Sequence, residues 1–326
     1  MRNERKHQVE EIDIAIIGGG PAGLQAALVL SRTRKKIIVF DTPEPPRNTA
    51  SHGVHNFLGL DGLLPMDIRK IAWEQIDKYD SGQLRKEKIV NVNKEKNGIF
   101  VITADNENSI RAKKVILAVG YYDVYPEILG FIECWSDTII PCPFCDGYEN
   151  RDRIWGIVAN SKMQLDLFPK MVQNWTSKIK VFISPNIEIE SSYQNELSKL
   201  NISVYKGIII KVNHSSTKVD SVLLESGENI QVDTLLWIPQ VKPIQLIQRL
   251  IENLGLELNE QGYIKTDEKL RTNVKGLYAA GDVKGTSPIG ALAAAYNGGE
   301  WQQLQSFMNG TINYWIYLDR LLLLSP

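Results

Sequence analysis

Residues 12–23 read Ile12-Asp13-Ile14-Ala15-Ile16-Ile17-Gly18-Gly19-Gly20-Pro21-Ala22-Gly23, and their reading decides the fold. An apolar run stops at three glycines, and Pro21 then opens a stretch rich in alanine and leucine that continues to Ser31. The pattern is strand, tight turn, helix. Lys36 to Phe40 is a second short apolar strand closed by Asp41, so the segment as a whole reads as a βαβ unit. The spacing Gly18-x-Gly20-x-x-Gly23 leaves bare backbone at a helix N-terminus, where amide groups and the helix dipole favour a pyrophosphate. Asp41, at the end of the next strand, suits the hydroxyls of a ribose. A glycine-rich turn without a ligand is the alternative, and the strand and helix on either side argue against it.

Outward from this unit, a proline-rich loop (Pro43 to Pro46) precedes a stretch of helical spacing, Asp67 to Tyr79. Ile99 to Thr103 and Val115 to Val119 read as strands around a polar turn at Asp105 to Ser109, the second running through Ala118 to Gly120. The texture then changes at Tyr121-Tyr122-Asp123-Val124-Tyr125-Pro126, which reads as an interdomain crossing. Beyond it, a strand at Ile154 to Val158, a helix at Met163 to Val172 and a strand at Val181 to Ser184 suggest a second βαβ unit. Val222 to Glu225, Ile230 to Val232 and Leu235 to Ile238 are its remaining strands. From Gly276 the pattern is strand, Gly281-Asp282, then an alanine-rich helix reaching Met308. An aspartate at that turn can accept from hydroxyls of a cofactor's sugar chain, so the first and last parts of the chain are expected to close on one cofactor.

The composition narrows the function classes. With 326 residues, 43% hydrophobic and 23% charged, the chain has material for two packed domains. Its 37 basic and 38 acidic residues nearly cancel, which provides no strong field for nucleic acid or an anionic membrane. Met1 to Glu11 mixes both charge signs without a signal segment's apolar core, and no apolar run approaches the roughly 18 residues of a membrane span. Cytoplasmic residence is the expectation.

Of three cysteines, two stand as Cys142-Pro143-Phe144-Cys145, followed by Asp146. A structural zinc site would need a second pair or histidines at ligand spacing, which His52, His55 and His214 do not supply, so no metal is expected. Two thiols separated by two residues and opening a helix can exchange a disulfide with a substrate, because the helix terminus favours one thiolate. A neighbouring carboxyl can move the proton each half-reaction requires. The alternative is a pair of inert buried cysteines beside a helix-capping aspartate. Cys134 reads as a core residue.

Three stretches together, Gly18 to Gly23, Cys142-Pro143-Phe144-Cys145-Asp146-Gly147, and Leu277 to Val283, give the chain its resemblance to the thioredoxin reductases of the short bacterial type. They occur in that family's order and spacing across nearly the whole length. The resemblance implies an α/β fold of two Rossmann-like, three-layer ββα domains. Residues 1–121 and 241–326 would form an FAD domain, and residues 122–240 an inserted domain carrying the cysteines. It further implies a homodimer in which Cys145 lies against the flavin, Cys142 attacks the substrate disulfide and Asp146 is the acid. Gly18, Gly20, Pro21, Ala22, Gly23, Asp41, Ala118, Gly120, Gly281 and Asp282 would hold FAD, with Arg47, Asn56 and Ala291 close to the ring system.

The departures from the family carry as much information. Where the inserted domain should hold a second glycine-rich phosphate turn, the chain reads Gly156-Ile157-Val158-Ala159-Asn160-Ser161-Lys162. Where a basic cluster should meet a ribose 2′-phosphate, it reads Phe182-Ile183-Ser184-Pro185-Asn186-Ile187-Glu188, with nothing to pair with a phosphate. Ile289-Gly290 replaces an Arg-Gln pair, and Trp301, Tyr314, Trp315 and Tyr317 add rings that would stack on the flavin or pack a dimer. This mixture resembles the offshoots that do not use NADPH. Some take electrons from ferredoxin, some carry a second FAD in the vacated pocket, and others are dithiol oxidases that pass electrons to oxygen. Arg47-Asn48-Thr49-Ala50-Ser51-His52-Gly53 with Phe57-Leu58-Gly59 is more like the dithiol oxidases, which often carry histidine after the redox pair, whereas Asp146 follows the reductases. The expected function is electron exchange between FAD and the Cys142/Cys145 disulfide, then with a thioredoxin-like protein or a small disulfide or dithiol. A non-catalytic flavin-binding redox sensor is the rival from another class.

Overall fold

The computed structural model of the protein describes residues 10–285. β1 (Glu11–Ile17) is buried on both faces because its neighbours run parallel to it and helices and strands cover both sides. It is followed by α1 (Pro21–Ser31), β2 (Ile37–Phe40), α2 (Pro65–Ile76), β3 (Gly82–Arg85), β4 (Ile89–Lys94), β5 (Phe100–Ala104) and β6 (Ser109–Leu117). These strands form one sheet in the order β3-β2-β1-β6-β5-β4. The order places the C-terminal ends of β1 and β2 side by side above the N-terminus of α1. Leu24, Ala27 and Leu30 of α1 pack on Ile14, Ile16, Ile37 and Val39, one apolar face of the helix against one face of the sheet.

The chain continues through β7 (Tyr121–Val124), a single helical turn α3 (Phe131–Cys134), β8 (Ile139–Ile140) and a second such turn α4 (Pro143–Asp146). Then come β9 (Trp155–Ala159), α5 (Lys162–Met171), β10 (Ile179–Ile183), α6 (Ser191–Lys199) and β11 (Ser203–Lys206). β12 (Ile209–Ser215), β13 (Lys218–Leu224) and β14 (Asn229–Gln231) form an antiparallel meander, followed by β15 (Thr234–Trp237), β16 (Gln240–Pro243), α7 (Gln245–Leu254) and β17 (Leu277–Ala279). A parallel sheet of order β11-β10-β9-β15-β8 is sandwiched between the meander and α5 with α6. Val158, Phe182 and Leu235 face Val212, Val222 and Ile230 of the meander, while Ile157, Val181 and Ile183 face Leu165, Phe168 and Leu197 of the helices. This is the three-layer ββα arrangement that the sequence led one to expect.

Two details position the site. β7 and β16 pair antiparallel, Tyr121 opposite Pro243 and Val124 opposite Gln240, so the two crossings between the sheets lie side by side. β6 is shared: its first half pairs antiparallel with β5, and its second half pairs in parallel with β17, Val115 opposite Leu277. β6 also begins earlier than its apolar core suggested, at Ser109 and not Val115, because its first half alternates between buried and exposed residues and so reads as polar. The turn before it ends at Asn108, with Glu107 in the left-handed region at φ +67°. Ile289, Gly290, Ala291, the stretch expected to form an alanine-rich helix and the C-terminal aromatic residues lie outside the described residues.

Candidate active site

The glycine turn between β1 and α1 is built by close approach. Gly18 has φ +108°, and a Cβ there would stand 2.3 Å from the Ala118 carbonyl oxygen; one on Gly23 would stand 1.9 Å from the Gly18 carbonyl oxygen. Strand, turn and helix are thus locked against the end of β6, and only glycine fits. Gly20 is different: a Cβ there would meet no atom within 4 Å. Among the described residues no side chain caps the amide groups at the α1 N-terminus, and Pro21 supplies the first-turn residue that lacks an amide hydrogen. Open space over Gly20 and unclaimed amide donors are what a pyrophosphate requires, so the residues present fit the phosphates of FAD.

Around this turn the expected contacts are held ready by local partners. Asp41 accepts from the Gly19 amide at 3.0 Å and from the Arg69 guanidinium. Arg47 forks onto Asp123 at 2.5 and 2.8 Å and reaches Asp282 at 3.2 Å, which ties the proline-rich loop to β7 and to the Gly281-Asp282 turn after β17. Ala118 abuts Gly18, and Gly120 takes φ +65° where β6 gives way to β7. Asn56, also left-handed at φ +62°, donates from its side-chain amide to the Phe144 carbonyl at 2.6 Å. Its polar group is therefore committed to the cysteine segment.

The corresponding turn after β9 is built differently. Ser161 Oγ accepts from the Gln164 amide at 3.3 Å, and Gln164 Oε1 accepts from the Asn160 amide at 2.7 Å. The arrangement is a variant of the capping box, with Gln164 reaching one residue past the N-cap, and it occupies donors that a phosphate would otherwise use. Gly156, the lone glycine of the stretch, is a packing residue of β9: a Cβ would stand 2.6 Å from Leu235 and 2.8 Å from Phe182. After β10, Ile187 turns into the core beside Val181 and Leu197, so the segment presents no basic cluster.

The thiol pair sits on α4. Its turn is closed by amides of Cys145 and Asp146 donating to the Cys142 carbonyl at 3.3 and 3.2 Å and by Gly147 donating to Pro143 at 2.9 Å. Gly147 lies so close to Trp175 that a Cβ would stand 2.8 Å from the indole nitrogen, and Trp175 in turn meets Phe144 edge-on and stacks on Trp155. Asn150, buried, donates to the Asp146 carbonyl at 2.9 Å and accepts from Thr234 and Arg153 at 2.9 Å each, which pins the turn to β15. Both thiols are free and partly accessible, whereas Cys134 is buried in the core, where burial pushes its thiol up to about 11.

The electrostatics separate the two thiols. The Cys145 thiol donates a hydrogen bond to the Cys142 sulfur, and this, opposed by burial and aided by the Cys145 and Phe144 amides, brings Cys142 down to about 7. The same hydrogen bond, with burial and the Cys142 and Asp146 charges, pushes Cys145 up. Cys142 is therefore the first to ionise. The partner thiol is the chief cause, and the Phe144 and Cys145 amides that open the one-turn helix α4 add to it. Asp146 is pushed up to about 6, mainly by burial and then by Glu149, while His55 and His52 pull the other way.

Sequence reasoning weighed His55 only as a metal ligand and missed its place here. Nε2 lies 3.6 Å from Glu149 Oε1 and Nδ1 lies 3.7 Å from Asp61 Oδ2. Glu149, Asn150 and Trp175 were missed too. No local motif marks them; only the fold of β9 and α4 brings them together.

A glycine cradle open for a dinucleotide, with a polarised dithiol on the adjoining sheet, defines a flavin-dependent disulfide oxidoreductase. The chain belongs to the pyridine nucleotide-disulphide oxidoreductase family, whose model matches residues 12–150 and 182–300. It is thioredoxin reductase-like: it is 29% identical over 290 residues to the thioredoxin reductase tcpT of Claviceps purpurea, covering 83% of this chain and 86% of that one. Identity to the Helicobacter pylori thioredoxin reductase is 26% over 300 residues, covering 88% and 95%. Among solved structures, the putative thioredoxin reductase TrxB of Bacillus anthracis superposes with a TM-score of 0.81 at 30% identity, over 90% of this chain and 97% of that one. An oxidoreductase of Agrobacterium tumefaciens gives 0.80 at 28% identity, over 92% and 100%.

Proposed function

We propose that the Cys142/Cys145 pair exchanges electrons with FAD held by residues 1–121 and 241–326, that residues 122–240 carry the pair, and that NADPH is not the electron donor. The observation that carries this reading is the contrast between two helix N-termini of one design. The end of α1 is open and uncapped, whereas the end of α5 is closed on itself by Ser161 and Gln164. Bound FAD would supply the two-electron couple that reduces or reoxidises the disulfide. Gly18, Gly20, Pro21, Ala22 and Gly23 would take its phosphates, Asp41 a ribose, and Gly281 with Asp282 the sugar chain. Arg47 and Asn56 link this cradle to β7 and α4.

In the chain's own chemistry, the Cys142 thiolate attacks a disulfide sulfur and Cys145 resolves the mixed disulfide after giving its proton to Asp146. Partner choice rests on the exposed rim of Phe144 and Tyr148, which suits a thioredoxin-like protein or a small disulfide. Electrons would come from ferredoxin or through a second FAD. The working state in this reading is a cytoplasmic homodimer. NADPH at micromolar concentration, added anaerobically, is expected to leave the flavin oxidised while dithiothreitol bleaches it; rapid bleaching by NADPH refutes the donor assignment. One FAD released per chain on denaturation would remove the second flavin.

The opposite direction, oxidation of a dithiol with oxygen as acceptor, is favoured by one observation. His55 lies 3.6 Å from Glu149, three residues beyond the acid, and both His52 and His55 favour the Asp146 carboxylate, although no histidine follows it in sequence. Peroxide formed on adding small dithiols in air would establish this direction.

A further inference from the structure

Cys145, the resolving thiol, is half-buried beside Asp146, and the Asp146 carboxyl is itself largely covered, so a proton taken from Cys145 needs a way out. The loop after β2 supplies one. His55, about a quarter exposed, stands between Glu149, three residues beyond Asp146, and Asp61 of its own loop. The charged and titratable groups that bear on this corner are Asp61 and His52 from that loop, and Asp146 and Glu149 from α4 and the residues that follow it. An imidazole flanked by two carboxylates can take a proton on one nitrogen while releasing one from the other.

We propose that His55 is the proton relay of this site, carrying the Cys145 proton from Asp146 to water past Glu149. This rests on the reading of Cys142/Cys145 as a working redox pair. His55 acts through Asp146 and touches neither sulfur, so it is a positioning and relay residue. The step balances as follows with 5,5′-dithiobis(2-nitrobenzoate) as the disulfide. The Cys142 thiolate attacks the probe, a Cys142–thionitrobenzoate disulfide forms, and one thionitrobenzoate leaves. Cys145 then gives its proton to Asp146, its sulfur bonds to Cys142 Sγ, and the second thionitrobenzoate leaves with the electron pair of the mixed disulfide. The dithiol loses two electrons, the probe gains them, and the proton passes through His55 to solvent.

The test is stopped-flow release of thionitrobenzoate from the reduced full-length protein across pH 5–9, a range that brackets Asp146 at about 6 and Cys142 at about 7. Cys134 is silent because it is fully buried. His55→Gln is expected to leave the first release unchanged and to slow the second about tenfold, less than the roughly hundredfold or more of a direct proton-transfer group because His55 acts through Asp146. The acid limb of the second release should move to higher pH, because the charge of His55 favours the Asp146 carboxylate. Added imidazole should restore the second release in His55→Ala. Equal second-phase rates in the variant and the parent protein overturn the relay. So does a loss shared by both phases without imidazole rescue, which marks a purely structural residue. Absence of a second release in the parent protein overturns the redox pair itself. The readout needs no flavin, so it separates the two readings.

Discussion

Replacing Asp146 with Asn should make the protein more stable at neutral pH while slowing disulfide exchange. In the folded protein burial, with Glu149 adding to it, holds this carboxyl at about 6 against an ordinary 3.8. The folded state therefore keeps a proton that the unfolded chain has already released. Between these two values stability falls as pH rises, and above about 6 the whole cost is present. At about 1.4 kcal/mol per pH unit the difference is worth at most about 3 kcal/mol. Partial exposure brings the expected gain to about 1–3 kcal/mol. Asn keeps the backbone carbonyl that Asn150 grips, so the turn survives the change. Urea unfolding followed by tryptophan fluorescence at about pH 7.5 and about pH 4 reads the effect: the variant should gain at the higher pH and match the parent protein at the lower. A variant no more stable at pH 7.5, or equally stabilised at both, would refute the buried, charge-opposed carboxyl.

Two more predictions concern the thiols and the cradle. Cys145→Ala removes the thiol that donates to Cys142, so the pH of half-maximal iodoacetamide alkylation of Cys142 should rise from about 7; an unchanged midpoint would mean that the backbone amides alone hold the thiolate. Gly23→Ala drives a methyl group into the Gly18 carbonyl and should lower FAD retained per purified chain more than Gln25→Ala, which leaves the β1–α1 contact intact; equal retention would place the flavin elsewhere.

How much of this was legible beforehand depends on whether a feature is local. The β1–α1–β2 unit could be read because a buried parallel strand, a glycine turn and an alanine-rich helix each leave a continuous mark within about thirty residues. The cysteine pair was equally visible. β3, β4, β7, β11, β12, α6 and α7 were not, since half-exposed strands and a helix such as Gln245–Leu254, with Leu246, Ile247 and Leu250 on one face only, look like polar linkers, and β8, though buried, is only two residues long. The thiol–thiol hydrogen bond that leads the lowering of Cys142 was not legible, because it depends on how the single turn α4 sets the two side chains. His55 came to light only in three dimensions, because the 93 residues between it and Glu149 carry no periodicity that links them.

The divided pairing of β6 bears on how the chain is made. Until Leu277–Ala279 leave the ribosome, the Val115–Leu117 half of that strand exposes unpaired amides and carbonyls, although β1 and β5 have long been available. The parallel sheet between the two crossings is complete by Trp237 and can consolidate first. The nascent chain can thus fold around the Cys142–Cys145 turn before it can finish the sheet that borders the glycine cradle.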